Sequence, residues 1–536
     1  MIDNPGRAAI LVLALAAPVC LIYGAGQHWN DSEEERYLFH HEIAADADPT
    51  IGMDTIPKDY MVEEDFTSHL PLVILDPHGQ EIVNYKYYDA QTDSFRYQDG
   101  IDPYTDVTVK VVDNKNHVNT PADPATIASQ GRIKIRGNSS SALPKSQYRL
   151  QLLDEDGNKA DFPLLGLDKA AEWVLNGSLR DSSYLRNYLG YNLGHMMDAY
   201  SPEVRFCEVL MKTEGGYRYE GLYLLIEAID KGEGRIELQG YNPDRVSGPY
   251  VVRRDRVDES EVRIFTYADE MGMAEEWSRN IATHVQLSLI YPKEKKVTPE
   301  TLAYISDDIS LAERIIYSDN PNAFRQYASY IDVDSFVNYF IINEFMMSYD
   351  AGVHSTYMYK DTGGKLTMGP YWDFDGGIDN AGNSMANFEY IPMYYRPYYD
   401  RLCEDAVFRN RLWDRYVLLR EGILSDENML RILSESSRFL GKAVERDRQR
   451  WHDYSHSLSV LQEESTKLFI DRNRQSYEDE LIRMQDALIL HAHYLDEHLN
   501  DRDYIVADHA GRNVLAALFL LGFFVSIVLV QRARKM

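Results

Sequence analysis

The 536-residue sequence has little cysteine, no surplus of positive charge and no repetition, and each absence removes a class of protein. Three cysteines cannot build a disulfide framework, and no Cys/His spacing fits a zinc site. Cys20 lies in an apolar stretch, which leaves Cys207 and Cys403 to the folded region, paired or unpaired. Lys and Arg number 55 against 85 Asp and Glu, a net charge of −30. No nucleic-acid partner is expected, because a phosphate backbone calls for clustered cations. A nucleotide needs only a few local cations, and the acidity suits solubility or a basic protein partner. No internal repeat or low-complexity tract interrupts the chain. What is present is a globular composition, 44% hydrophobic with 39 Tyr, long enough for several domains or one large one.

Two uncharged apolar stretches stand at the ends, Ala8–Ala25 after Arg7 and Val514–Val530 before Arg532, Arg534 and Lys535. Both approach the roughly 20 residues a membrane helix needs. The expectation is an N-terminal anchor (or signal peptide) at 8–25 and a transmembrane helix at 514–530. The basic tail puts both termini in the cytoplasm and the main domain outside it, at the cell membrane. Residues 27–66, polar and acidic, read as a linker.

Between them the pattern is α+β. Strand-like alternation starts at Leu70–Leu75 and continues through Val107–Val112, Arg132–Arg136 and Gln147–Leu153. A helix is predicted from Tyr184 to Met197 behind the capping run Asp181-Ser-Ser. Strands Val204–Leu210 and Gly221–Glu227 follow. Residues 68–240 thus form a strand-rich part, 241–330 an insertion and connecting segment, and 331–500 a catalytic loop with a helical remainder. Phe439–His456 reads as a solvated helix face.

Chemistry concentrates in Val333–Asp375. A helix-like run leads to Asp350; a hairpin-like stretch, Tyr357–Met368 around Asp361-Thr-Gly-Gly, ends in Trp372-Asp-Phe-Asp-Gly-Gly. Phosphoryl transfer needs two acidic stations of this kind, one facing the acceptor hydroxyl and one holding a metal. Turns that merely collect Asp and Gly would look the same.

Seven blocks widen the signal. They are Leu70–Asp76; Arg132–Ser140 with Pro144–Leu150; Glu172–Asn176 with Asp181–Leu189; Gly221–Glu227; Tyr330–Glu344; Ser355–Asp361; and Gly369–Asp375. Together, over roughly residues 68–450, they resemble the spore coat protein H (CotH) kinase family of atypical protein kinases. The resemblance implies an α+β, kinase-like two-lobed fold using ATP and Mg²⁺ to phosphorylate Ser or Thr of a protein substrate. It implies Asp350 as the catalytic carboxylate and Asp373, Asp375 or both as metal ligands. Asn138 and Ser139 would approach phosphates through backbone N–H groups. Lys145 is the candidate phosphate-pairing cation, with Arg136 and Arg149 as rivals; alternation puts Lys145 and Arg149 on one strand face. Glu227 would end the strand that meets adenine, and Arg186 would pair with a carboxylate near the phosphates. Each has a structural rival, as cap, salt-bridge partner or solvated strand residue. Two features depart from protein kinases: Ser355, not Asn, stands five residues after Asp350, and no full glycine-rich loop surrounds Gly137. Alternative functions are another nucleotide-dependent group transfer and a non-catalytic cell-envelope binding or assembly role.

Overall fold

The computed structural model describes residues 48–501 apart from 198–199, 233, 280–283, 381–388 and 460–475. Its centre is a sheet that closes on itself. The strands are β1 (Leu72–Asp76), β2 (Thr105–Val112), β3 (Ile127–Ile135), β4 (Tyr148–Leu153), β5 (Glu172–Asn176), β6 (Val204–Thr213) and β7 (Gly216–Glu227). They run β7-β5-β4-β3-β2-β1-β6, and β6 pairs back onto β7. Every neighbour is antiparallel except β1 and β6, which run parallel. A short strand, Met61–Val62, lies against β7.

Alternation fills the barrel. Val73, Leu75, Val109, Ile133, Leu150, Trp173, Cys207, Val209 and Leu225 point inward into one buried cluster. Strands β6 and β7 are apolar on both faces because their outer residues Val204, Phe206, Leu222, Leu224 and Ile226 pack on helices. The outer face of β3 is different: Arg132, Lys134 and Arg136 alternate with buried Ile133 and Ile135.

A second, antiparallel sheet is built from β8 (Tyr250–Arg256), β9 (Arg263–Ile264), β10 (Val285–Tyr291), β11 (Thr356–Lys360) and β12 (Thr367–Met368), in the order β9-β10-β8-β11-β12. The segment 241–330 therefore supplies its three leading strands. Helices α1 (Arg186–Met196), α2 (Pro299–Ile316), α3 (Val333–Phe345), α4 (Ala406–Arg420), α5 (Asp426–Ser459) and α6 (Tyr477–His498) surround the two sheets. Helix α3 is capped by Asp332, which accepts from Asp334 N and Ser335 N, and every residue from Phe336 to Phe345 is buried.

These features correct the expected fold class. The strand-rich part is a closed seven-stranded barrel, not the sheet of a kinase-like two-lobed α+β fold. Closure was hidden because it depends on β1 lying parallel to β6, with Leu72 paired to Glu208 far along the chain. No helix among the described residues is long and apolar enough to cross a membrane. The spans expected at 8–25 and 514–530 lie outside the described residues.

Two local expectations also change. Within the expected linker, residues 48–66 are pinned at points: Ile56, Val62 and Phe66 are buried and Met53 O accepts from Arg446 at 2.8 Å, while much of the segment stays exposed. Helix α5 is no solvated face over 439–451: Phe439, Leu440, Val444, Arg446, Asp447 and Trp451 are buried. Arg446 and Glu208 form a fully buried pair at 2.6 Å. Gly221 (φ +124°) lets the helix approach, since a Cβ there would stand 2.2 Å from Asp447 Oδ1. Cys207 and Cys403 are free and lie in separate cores.

Candidate active site

Helix α3 carries the chain through buried core and releases it at Met346, so Asp350 emerges from a rigid support. The turn after it is closed by Val353 N and His354 N, both donating to Asp350 O at 3.1 and 2.8 Å. Arg254 on β8 donates to Gly352 O at 3.3 Å and Tyr339 Oη accepts from Gly352 N.

The Trp372-Asp-Phe-Asp segment is fixed against α1. Gly190 and Gly194, one turn apart, leave a flat groove in which Phe374 and Tyr371 lie; a Cβ at Gly190 would stand 2.3 Å from Phe374 Cδ2. Asn187 Oδ1 accepts from Phe374 N at 2.8 Å. The peptide then bonds to the end of α3, with Ile378 N donating to Met346 O at 2.8 Å. Asp373 is held at φ +70° and Ser355 at +47°, and Ser355 Oγ donates to Asp373 Oδ2 at 3.1 Å. That bond ties Asp373 to the loop that follows Asp350, through the residue five positions after it.

Asp350, Asp373 and Asp375 influence one another electrostatically while each remains partly open to solvent. Poor solvation, then the neighbouring Asp373, push the Asp350 carboxyl up to about 7. The same causes, with Asp181 and Asp350 adding, push Asp375 up to about 8. Among the described residues no three His, Cys, Asp or Glu converge as a closed metal cage. Mg²⁺ does not need one: one or two carboxylates with phosphate oxygens and water suffice, and neighbouring carboxylates that raise one another's proton affinity fit a cation.

The other candidates separate. Arg136 lies over the Trp372 ring, 5.5 Å from its centre, which brings the barrel's basic face beside Asp373. Asn138 Oδ1 accepts from Lys86 Nζ at 2.7 Å, and Ser139 opens a single 3₁₀ turn, Ser139–Ala142. Lys145 precedes β4 rather than sharing its face with Arg149. It is buried against α5, donating to Asp447 at 2.6 Å and to Leu222 O at 2.8 Å. Arg149 pairs with Glu172 on the barrel's outer face. Glu227 is buried, with Oε2 accepting from Glu203 N at 3.0 Å; burial pushes it up to about 8.

Arg186 is also fully buried. It donates to Asp181 (2.6 Å) and Glu480 (2.8 Å), and to Gly377 O and Ile378 O at 2.9 Å, so it grips the loop behind Asp375. Arg483 extends this lattice, pairing with Glu480 and with Asp379 at 2.9 Å.

Sequence reasoning missed Arg180, Asp255, Arg256 and Arg396, whose charges also reach the acidic group. The only signals were Arg180 beside the Asp181 cap and the run Arg253-Arg-Asp-Arg closing β8.

Barrel, second sheet and three aspartates on neighbouring loops give the protein an acidic centre with raised proton affinity. The chain belongs to the CotH kinase protein family, whose description matches residues 133–502, more than half of its length. No curated protein matches the chain significantly.

Proposed function

We propose that this CotH-family chain transfers the γ-phosphate of ATP to a Ser or Thr hydroxyl of a protein acceptor. The supporting observation is the mutual charge effect of Asp350, Asp373 and Asp375, with Ser355 tying Asp373 to the loop that follows Asp350. Asp350, with its affinity for protons raised to about 7, suits a general base that accepts the acceptor hydroxyl's hydrogen as oxygen attacks phosphorus. Asp373 and Asp375 are the residues that would hold Mg²⁺, which when bound supplies charge neutralisation to phosphate oxygens. Arg186, by fixing the Gly377–Ile378 peptide, keeps those carboxylates in place; Arg136 presents a cation at their edge.

The test is labelling with γ-labelled ATP and Mg²⁺, using the full chain with a protein acceptor or itself. Asp350→Asn and Asp373→Asn should each lower phosphoprotein formation by about 10²-fold or more while circular dichroism stays unchanged. Equal labelling by parent and both variants would remove these roles. Mass spectrometry of the acceptor separates phosphate from any other transferred group.

A further inference from the structure

The arginines around the acidic centre are not equivalent. Arg186 and Arg483 are consumed by buried carboxylates, Arg136 donates to Gln147 at 3.1 Å, and Arg396 donates to Tyr349 O. Arg180 and Arg256 differ: among the described residues neither guanidinium has an ion pair or hydrogen-bond acceptor. Their neighbours explain why. Asp181, next to Arg180, is saturated by Arg186 and Ser183. Asp255, next to Arg256, accepts from the Arg256 backbone N–H and faces Arg253.

Both are nonetheless anchored to the centre by their backbones. Asn380 Nδ2 donates to Arg180 O at 3.1 Å and to Asp375 O at 2.6 Å, tying the exposed Arg180 turn to the carboxylate segment. Arg256 ends β8, whose Arg254 holds Gly352 O and whose Asp255 lies 3.9 Å from His354, in the Asp350 turn. One arginine thus flanks Asp375 and the other flanks Asp350. The charge of Arg256 is felt at Asp350 and that of Arg180 at Asp375, with no ion pair or hydrogen bond joining them among the described residues. Opposite charges held close but unjoined leave room for a ligand carrying both signs, such as a metal-bound polyphosphate. Guanidinium geometry matches phosphate oxygens in pairs.

We propose that Arg180, from the Asp375 segment, and Arg256, from beside the Asp350 turn, together clamp the terminal phosphate of a metal-bound polyphosphate. The location rests on the phosphotransfer reading, but the clamp is a statement about binding and is separable from transfer. Calorimetric titration of the full chain with three probes, MgATP, MgADP and magnesium tripolyphosphate, tests it. Arg180→Gln and Arg256→Gln should each weaken MgATP and tripolyphosphate about tenfold or more and leave MgADP within about twofold. Arg→Lys variants should fall between, keeping charge and losing the fork. Equal weakening of MgATP and MgADP, or none, overturns the clamp. Arginine-dependent tripolyphosphate binding without acceptor labelling sustains the clamp and removes the kinase reading; labelling without arginine dependence does the reverse. Binding of none of the probes by the parent overturns both.

Discussion

Asp375 shows how a single side chain is set by what surrounds it. In the unfolded chain it ionises near its ordinary value, whereas the folded chain holds its proton up to about 8 and that of Asp350 up to about 7. Between roughly pH 4 and 8 the native state therefore binds more protons than the unfolded state, and stability falls as pH rises through that window. Urea midpoints of the metal-free parent should be lower at pH 8.5 than at pH 5.5. Asp375→Asn should flatten that dependence and be the more stable protein at pH 8.5. Mg²⁺ should stabilise the parent at pH 8.5 more than the variant. A variant that keeps the parent's full pH dependence would show that Asp375 ionises freely. The local sequence announced this residue, in Trp-Asp-Phe-Asp, but its neighbours Asp181 and Asp350 come from 194 and 25 positions away in the chain, and the strength of their field was not readable.

At the scale of elements, α1 matters as a surface rather than as a helix. Its predicted span, Tyr184–Met197, agrees with the observed Arg186–Met196, but the cap is Leu185, which has no capping side chain; Asp181, further upstream, accepts from Arg186 N at 2.9 Å. The function of its glycines is not local. In an exposed helix Gly190→Ala would stabilise by about 1 kcal/mol. Here the added methyl meets the Phe374 ring, and overpacking of this kind costs about 1–3 kcal/mol. The clash should prevail. Gly190→Ala should lower the urea midpoint and, by displacing Phe374 between its two aspartates, weaken Mg²⁺-dependent stabilisation. A variant as stable as the parent, with unchanged Mg²⁺ response, would refute this account of the groove. The hairpin β11–β12 was legible from alternation around Asp361-Thr-Gly-Gly. Lys145 was not, because its position turns on where β4 begins.

Over the whole molecule, α5 is the strap that joins barrel to helices. Asp447 accepts from Lys145 Nζ, Leu222 N and Tyr184 Oη, at 2.6, 2.7 and 3.0 Å, in a fully buried setting. Losing one member strands the other charge, at a cost of about 3–5 kcal/mol. Lys145→Met should destabilise by that order, and Lys145→Met with Asp447→Leu should recover part of it in a double-mutant cycle read by urea denaturation. Additive losses would mean the pair is not coupled. This also explains why 439–456 looked like a solvated face: charged residues are ordinarily outside, and only buried partners, Glu208 and Lys145, bring Arg446 and Asp447 in.

Local structure was determined by the sequence alone: strands by alternation, the span of α1 by its periodicity, and the turns that carry the three carboxylates by their residues. These depend on residues a few positions apart, so the pattern contains them. Barrel closure, the burial of Lys145 and Arg186, and the placement of Arg180 and Arg256 without an ion-pair partner among the described residues were decided by tertiary structure. Each depends on which distant backbone or charge arrives alongside, and nothing in a local run of residues encodes that.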